Sequence, residues 1–423
     1  MPVCFGSGEC VLLEDTILGT GSDDILVSGD NVSLISAGAG DDVLVGGLDR
    51  DRLVGGDGDD VLVGGNLVSA FLGVTALPFS EDTNPDTVHL EDPHPSFFAE
   101  VLSGGAGNDL LVGGSWYDGN DNGAVDEDEL IQQSADLTQS GGFNNILWGG
   151  SGNDQLHGAN GFDTLGGGTG NDLIYGYGGV DVAFGGAGDD TIYGGDGDPD
   201  LFHRLNGDSF TLTEELYGGT GDDAVYGEGG IDRIYGGAGD DTLEGGDGQD
   251  TIYGGKGDSD DTGTNDVIDG GADADLIFAN GGNDSVSGGS GDDLIFSGSG
   301  SDTVNGGDGN DEIFAGSGAD TVDAGSGNDT LWGSEDDDSF TGGSGSDTFI
   351  FASGHGDNTV EDFDITEDTL RLANTTTDFV TSADVEAAAI EENGGLLIDL
   401  GGGDSVFLAG LNLGNLADMD LVL

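Results

Sequence analysis

One carboxylate recurs at a fixed interval through this chain. In GGSGDDLIFSGSGSDTVNGGDGNDEIF (288–314) three nine-residue units follow without a break, each reading small, small, x, Gly, x, Asp, x, apolar, x. The sixth position is Asp24, Asp42, Asp51, Asp60, Asp109, Asp154, Asp163, Asp172, Asp181 and Asp190 in the first half of the chain. In the second half it is Asp223, Asp232, Asp241, Asp250, Asp275, Asp284, Asp293, Asp302, Asp311, Asp320, Asp329, Asp338 and Asp347, while Ser33 takes the place once. Carboxylates stacked one strand spacing apart, ~4.8 Å, repel by roughly 0.9 kcal/mol per pair even at the dielectric constant of water. Such columns call for a counter-ion. Gly at positions one, two and four frees the backbone and lets turn carbonyls face a cation. Carboxylate plus carbonyl oxygen is the hard ligand set of calcium, whereas magnesium prefers to keep its waters. These aspartates are therefore candidate metal ligands. The competing reading is a metal-free Gly/Asp turn, which about two dozen repetitions in register disfavour.

The elements that hold these groups follow from the same nine residues. Six have turn chemistry, which leaves a three-residue strand with one inward side chain, the aliphatic at position eight: Leu26, Leu44, Leu62, Ile192, Ile252, Ile295, Ile313. One such strand cannot stand alone, so the unit is a coil of a solenoid whose core forms only on stacking. Position nine shows the coil length. Phe278, Phe296, Phe314 and Trp332 are 18 residues apart, with Ser287, Asn305, Asp323 and Thr341 between them. Two nonapeptides thus make one turn with two unlike faces. The expected fold is all-β: a thin two-sheet parallel solenoid, interrupted by insertions.

Composition narrows the function. Asp and Glu number 85 against six Lys and Arg, for a formal net charge of −79. Nucleic acid is excluded as a partner, because phosphate binding needs clustered Lys and Arg; anionic membrane surfaces are disfavoured on the same grounds. No apolar run approaches the ~20 residues that span a bilayer, and MPVCFGSGECVLLEDTILG lacks the basic and apolar regions of a secretory signal peptide. Gly is 88 of 423 residues, far above the usual ~7%. An acidic, Gly-rich chain reads at first as disordered, but disorder needs no register. Cys4 and Cys10 flank a Gly-Ser-Gly turn and read equally as a small disulfide across a hairpin or as two free thiols.

The pattern GGxGxDxUx resembles that of the hemolysin-type (RTX) calcium-binding repeat proteins. That resemblance implies a right-handed parallel β-roll of 18-residue coils, with calcium between adjacent turns held by the position-six Asp and turn carbonyls. The tail is similar too. GGSGSDTFIFASGHGDNTVEDFDITEDTLRL (342–372) looks like the stretch that closes the roll. Ser382 is placed to cap a short helix through Ala387–Ala389 that ends at Asn393-Gly394, and LLIDLGGGDSVFLAGL (396–411) reads as a hairpin. In relatives this region caps the roll and carries an uncleaved signal for type I secretion, which implies an extracellular protein, either free or at the cell surface.

The segments expected are an N-terminal cap (1–18), a first roll block (19–65), an insertion (66–103) and a repeat (104–114). An insertion with a loop like an EF-hand (115–148), a second block (149–198), an insertion (199–217) and a third block (218–255) follow. An acidic loop (256–269), the longest block (270–350) and the cap and secretion region (351–423) complete the chain. Within 115–148, DGNDNGAVDEDE matches D-x-[DN]-x-[DN]-G-x5-E at every position. Asp118, Asn120, Asn122, Asp126 and Glu129 are its candidate side-chain ligands, Ala124 a carbonyl ligand, Gly123 the sharp turn and Val125 the buried position. No helix precedes it, so it resembles the half EF-hand of dockerin-like calcium sites. In 66–103, His89, Glu91, Asp92 and His94 lie in HLEDPH, whose spacing is not that of HExxH, and the segment's apolar runs suit a small cover.

Position nine faces away from the core. Phe278, Phe296, Phe314 and Trp332 are expected to form a ladder, and Tyr175 with Tyr193, and Tyr235 with Tyr253, repeat the spacing. Such a stripe reads either as a contact surface for a second copy or a polysaccharide, or as aromatics that simply suit strands. No HExxH or GxSxG is present and no non-repeat segment is long enough for a catalytic domain, so no catalytic residue is expected. A pore-forming toxin is disfavoured by the lack of long apolar helices; the only lysine, Lys256, sits in a repeat turn. The expected function is a secreted calcium-binding β-roll that folds on export, in a structural, surface-layer, matrix or adhesive role. The alternative is an extracellular enzyme acting on polysaccharide or protein through the insertions.

Overall fold

The computed structural model describes residues 3–5, 9–11, 16–27, 34–46, 52–64, 101–112, 145–158, 162–196, 213–255, 264–352, 354–373, 375 and 379–423. Two compact units divide at Phe210 and Thr211. Among the described residues, each is built mostly of short parallel strands.

The first unit contains two parallel sheets. One runs through Leu34–Ala39, Arg52–Asp57, Val101–Ala106, Ile146–Ser151 and Thr164–Thr169, with Ile35, Leu53, Leu102, Leu147 and Leu165 in register. The other runs through Ile25–Val27, Val43–Val45, Val61–Val63, Leu110–Val112, Gln155–His157 and Leu173–Tyr175. There Leu26, Leu44, Leu62, Leu111, Leu156 and Ile174 are aligned, and all are fully buried. The expected position-eight layer is thus the core of both sheets. A separate antiparallel pair, Val3–Phe5 with Glu9–Val11, sets Cys4 opposite Cys10 in backbone register.

The second unit repeats the plan. Ile252, Ile277, Ile295, Ile313 and Leu331 align in one sheet and Ile268, Val286, Val304 and Val322 in the other, all buried. Toward the C-terminus the aliphatic layer gives way to Phe340, Phe349 and Phe351, each fully buried, and the Phe340 and Phe351 rings meet edge to face at 5.6 Å. The strand Asp404–Ala409 extends one sheet in parallel with Asp357–Val360, then pairs antiparallel with Gly395–Gly401 as the expected hairpin. This reversal ends that sheet, while the other closes with Asp420–Val422 parallel to Thr369–Leu372.

The helix here is Ser382–Ala388, and its cap is Thr381, one residue before the expected Ser382. The Asp384 carboxylate accepts bonds from the Thr381 N–H and hydroxyl, both 2.8 Å. The helix ends in the strand Ala389–Glu392, and Asn393-Gly394 serves instead as the hairpin turn, with φ of 50° and 87°. No helix among the described residues is long and apolar enough to cross a membrane.

Several coils begin before the boundaries read from the pattern. Strands start at Val101, Ile146, Glu214 and Val267, so the last residues of the segments 66–103, 115–148, 199–217 and 256–269 belong to the roll.

Candidate metal columns

At each roll edge the position-six aspartates form a hydrogen-bonded column. In the first unit the backbone N–H of Asp24 donates to Oδ1 of Asp42, and so on through Asp60, Asp109, Asp154, Asp172 and Asp190, at 2.7–2.8 Å. A second column runs Asn145, Asp163, Asp181. In the second unit one column runs Asp223, Asp241, Asp266, Asp284, Asp302, Asp320, Asp338, Asn358. The other runs Asp232, Asp250, Asp275, Asp293, Asp311, Asp329, Asp347, Asp368. Insertions do not break them: Asp60 bonds Asp109 across 49 residues and Asp241 bonds Asp266 across 25.

This geometry spends Oδ1 and leaves Oδ2. The Oδ2 atoms of Asp42, Asp60, Asp109, Asp154, Asp275, Asp293, Asp311, Asp320 and Asp338, among others, are buried and accept no hydrogen bond. A buried carboxylate oxygen without a donor is rare and costly. Without a cation, burial pushes Asp241, Asp275 and Asp320 up to about 8 and Asp109 and Asp311 up to about 7. The backbone N–H bond to each opposes that rise, and the neighbouring aspartates add to it.

Carbonyl oxygens share this space. A Cβ placed on Gly288 falls 2.5 Å from Asp293 Oδ2 and 2.5 Å from the Gly306 carbonyl oxygen. The bare Cα of Gly288 is what lets the carboxylate of one coil and the carbonyl of the next face each other. Gly291 at position four has φ of 139°, and a Cβ there would meet the Asp273 carbonyl at 1.9 Å. Among the described residues no three His, Cys, Asp or Glu side chains converge as a metal-ligating group. A cation at these edges would therefore take its remaining ligands from turn carbonyls. Orphaned anionic oxygens beside carbonyls fit a hard divalent cation, and the residues that would hold it are the column aspartates and the position-one carbonyls.

The first coil differs. Asp24 Oδ2 accepts the Thr20 N–H at 2.6 Å and the Thr20 hydroxyl at 2.8 Å, so this oxygen is closed by its own turn. Asp51, the loop ligands Asp118, Asn120, Asn122, Ala124, Asp126 and Glu129, and His89, Glu91, Asp92 and His94 lie outside the described residues.

Four column members are absent from the pattern-based set, Asn145, Asp266, Asn358 and Asp368, and Glu214 continues the register by one coil without the bond. Glu214 pairs in register with Asp232 and is buried. Its signal was Leu216-Tyr217-Gly218-Gly219 two residues later, and that of Asp266 was Val267-Ile268 before Gly270-Gly271. Asn145 and Asn358 keep the hydrogen-bonding shape without the charge.

A second ladder lies outside the first. At position five the bond runs in the opposite sense, with the later coil donating: Asp41 N–H to Asp23 Oδ1, Asp59 to Asp41, Asn108 to Asp59, Asn153 to Asn108. Opposed ladders thus tie each coil to both neighbours at the edge.

The aromatic stripe is longer than the spacing indicated. Seven stacked rings run Tyr217, Tyr235, Tyr253, Phe278, Phe296, Phe314, Trp332, with centroids 4.6–5.3 Å apart and planes within 13°. The 25-residue step from Tyr253 to Phe278 hides this continuity in the sequence.

A model of the RTX calcium-binding nonapeptide repeat matches this chain at 36–66, 96–115, 135–165, 166–201, 215–259, 260–295 and 287–357. No curated protein matches it. Among solved structures, the extracellular lipase LipA of Serratia marcescens is 18% identical over 58% of this chain and 45% of its own, with a TM-score of 0.22. The chain thus spans less than half of that lipase, and the likeness carries no argument about activity. The repeat model covers most of the chain with the columns just described, and on that evidence the protein belongs to the RTX calcium-binding nonapeptide repeat family.

Proposed function

We propose that the protein is a secreted β-roll that folds when calcium loads its edge columns, and that it serves outside the cell as a structural or adhesive component rather than as an enzyme. The observation that carries this reading is the set of buried Oδ2 atoms without a donor. Ionised, they repel one another and oppose the fold; a cation that binds only the folded form draws the chain over by mass action. About twenty calcium ions would add about +40, on the order of half the formal charge, and leave an acidic, soluble product. A chain kept unfolded by its own charge suits threading through a type I channel before it meets extracellular calcium.

The test is far-UV circular dichroism of the purified chain titrated with calcium, then with magnesium, then with chelator. A coil signal that turns to β with calcium alone, cooperatively and reversibly, supports the reading. A chain already β-rich in chelator at neutral pH would overturn it. Equilibrium dialysis of calcium against the folded chain gives the stoichiometry.

A further inference from the structure

Three tyrosines occupy consecutive strands of one sheet in the second unit. Tyr217 pairs in register with Tyr235, and Tyr235 with Tyr253. The Tyr217 and Tyr235 rings lie 4.6 Å apart and 2° from parallel, and Tyr253 follows at 4.9 Å and 5°. All three are half-buried on the outer face, so each keeps an edge that a small reagent reaches. Parallel strands in register set like atoms against like, so the ortho carbons of neighbouring phenols face each other across the stack.

What separates Tyr217 from the other two is the residue two places before each ring. It is Glu215 at Tyr217, Arg233 at Tyr235 and Thr251 at Tyr253. The Tyr217 hydroxyl donates to Glu215 Oε2 at 3.1 Å, while Arg233 Nη1 donates to Glu215 Oε1 at 2.9 Å. Arg233 thus holds the carboxylate and leaves its other oxygen to the phenol. Burial, and then this bond, raise the Tyr217 pKa, so the phenol keeps its proton at neutral pH. A phenol that loses an electron becomes a strong acid, and a carboxylate already bonded to it takes the proton. The aspartate columns make no use of this arrangement.

We infer that Tyr217 and Tyr235 are an oxidative cross-linking site, where a one-electron oxidant of the ferryl-haem class, fed by hydrogen peroxide, joins the two rings through their ortho carbons. Each phenol gives one electron to the oxidant and one proton, that of Tyr217 to Glu215 and that of Tyr235 to water. The two ring radicals then pair their electrons in a carbon–carbon bond. The C–H bonds at the joined carbons break, and their protons return to the phenol oxygens. The protein loses two hydrogens in all, and one hydrogen peroxide becomes two waters. The product is a covalent staple between neighbouring coils, 18 residues apart (235 − 217). The inference rests on the folded roll and not on what loads its columns.

The test oxidises the full chain, its β signal verified in the same sample, with a haem peroxidase and hydrogen peroxide. Dityrosine is read by its fluorescence and by mass spectrometry of the digested chain. A monomer lighter by two hydrogens is expected, with Tyr217 and Tyr235 in one linked fragment. Its yield should exceed that of the same chain in urea by about tenfold, because the fold holds the rings together. Tyr235→Phe keeps a stacked ring, leaves Tyr217 and Tyr253 two strands apart, and should remove that fragment. Glu215→Gln keeps an acceptor for the hydroxyl but no base, and should slow the coupling about tenfold. The linked chain should unfold at a higher urea midpoint than the parent. Links that map only to other tyrosines, links only between chains, or an equal yield in urea would each overturn the assignment. A Glu215→Gln chain that couples as fast as the parent would overturn Glu215 as the proton acceptor, and an unshifted midpoint would overturn the link as a staple.

Discussion

The same repeat position has opposite fates in the two units. In the first, position nine of one sheet includes Val45, Val63, Val112 and His157, each no more than 2% exposed, between the half-exposed Val27 at one end and Tyr175 and Tyr193 at the other. Val27, Val43, Val61, Leu110 and Tyr177 pack against the valines. In the second, position nine is the half-exposed ladder from Tyr217 to Trp332. The inner layer and the edge columns are alike in both. What differs is how far the outer face is buried: compact valines where it is buried, stacked rings where it is half-exposed, as at Tyr175 and Tyr193 in the first unit too. His157 marks the covered side. Its Nδ1 lies 2.8 Å from the Tyr177 hydroxyl, and burial lowers its pKa to about 4, so it is neutral in the fold.

If the edges are a common device, they must fail alike. Asp42→Asn with Asp60→Asn in the first unit, and Asp293→Asn with Asp311→Asn in the second, keep the Oδ1 acceptor and remove the charge. Each pair should raise the calcium midpoint of folding by about tenfold or more. A shift confined to one pair, read by circular dichroism, would show that the units do not share a mechanism.

On the proposed calcium loading, proton and cation compete for the same oxygens. Asp241, Asp275 and Asp320 rise from 3.8 to about 8 without a cation. A folded-state value above the unfolded one contributes stability that is complete below pH ~4 and lost as pH rises through 8. In chelator the chain should therefore gain β signal on acidification from pH 8 to 5, and its calcium affinity should fall over the same range. A chelated chain that unfolds progressively across that window would contradict the burial argument.

The outer faces should respond unequally. Val63→Ser places a hydroxyl at a fully buried site and should cost about 2–4 kcal/mol. Phe296→Ser, at a half-exposed rung, should cost about 0.5–1 kcal/mol of cross-strand stacking. Urea melts in saturating calcium measure both, and equal costs would mean that the two outer faces contribute alike. The smallest effect is Tyr177→Phe, which removes the partner of His157 Nδ1 and should cost about 1 kcal/mol in the same melts.

Much of this molecule is readable from period nine alone. Gly, Asp and one aliphatic in strict order dictate the strand length, the single-layer core and the carboxylate columns, because each depends on local geometry repeated in register. Where the period lapsed, reading failed. Asp266 and Glu214 lie beside insertions, and Asn145, Asn358 and Asp368 are placed by the strand that follows them. The helix cap moved by one residue because Asp384 can serve Thr381, a choice made by side-chain reach.

The sequence by itself determined the repeat, the inward layer, the hard-oxygen chemistry at the edges and the overwhelming negative charge, all consequences of residue type at fixed spacing. The fold alone set the columns running unbroken past 49- and 25-residue steps, spent Oδ1 on the next coil while Oδ2 of Asp42, Asp60 and Asp109, among others, accepts no hydrogen bond, and chose which outer face is buried. Those facts depend on contacts between residues far apart in the chain, where spacing carries no information.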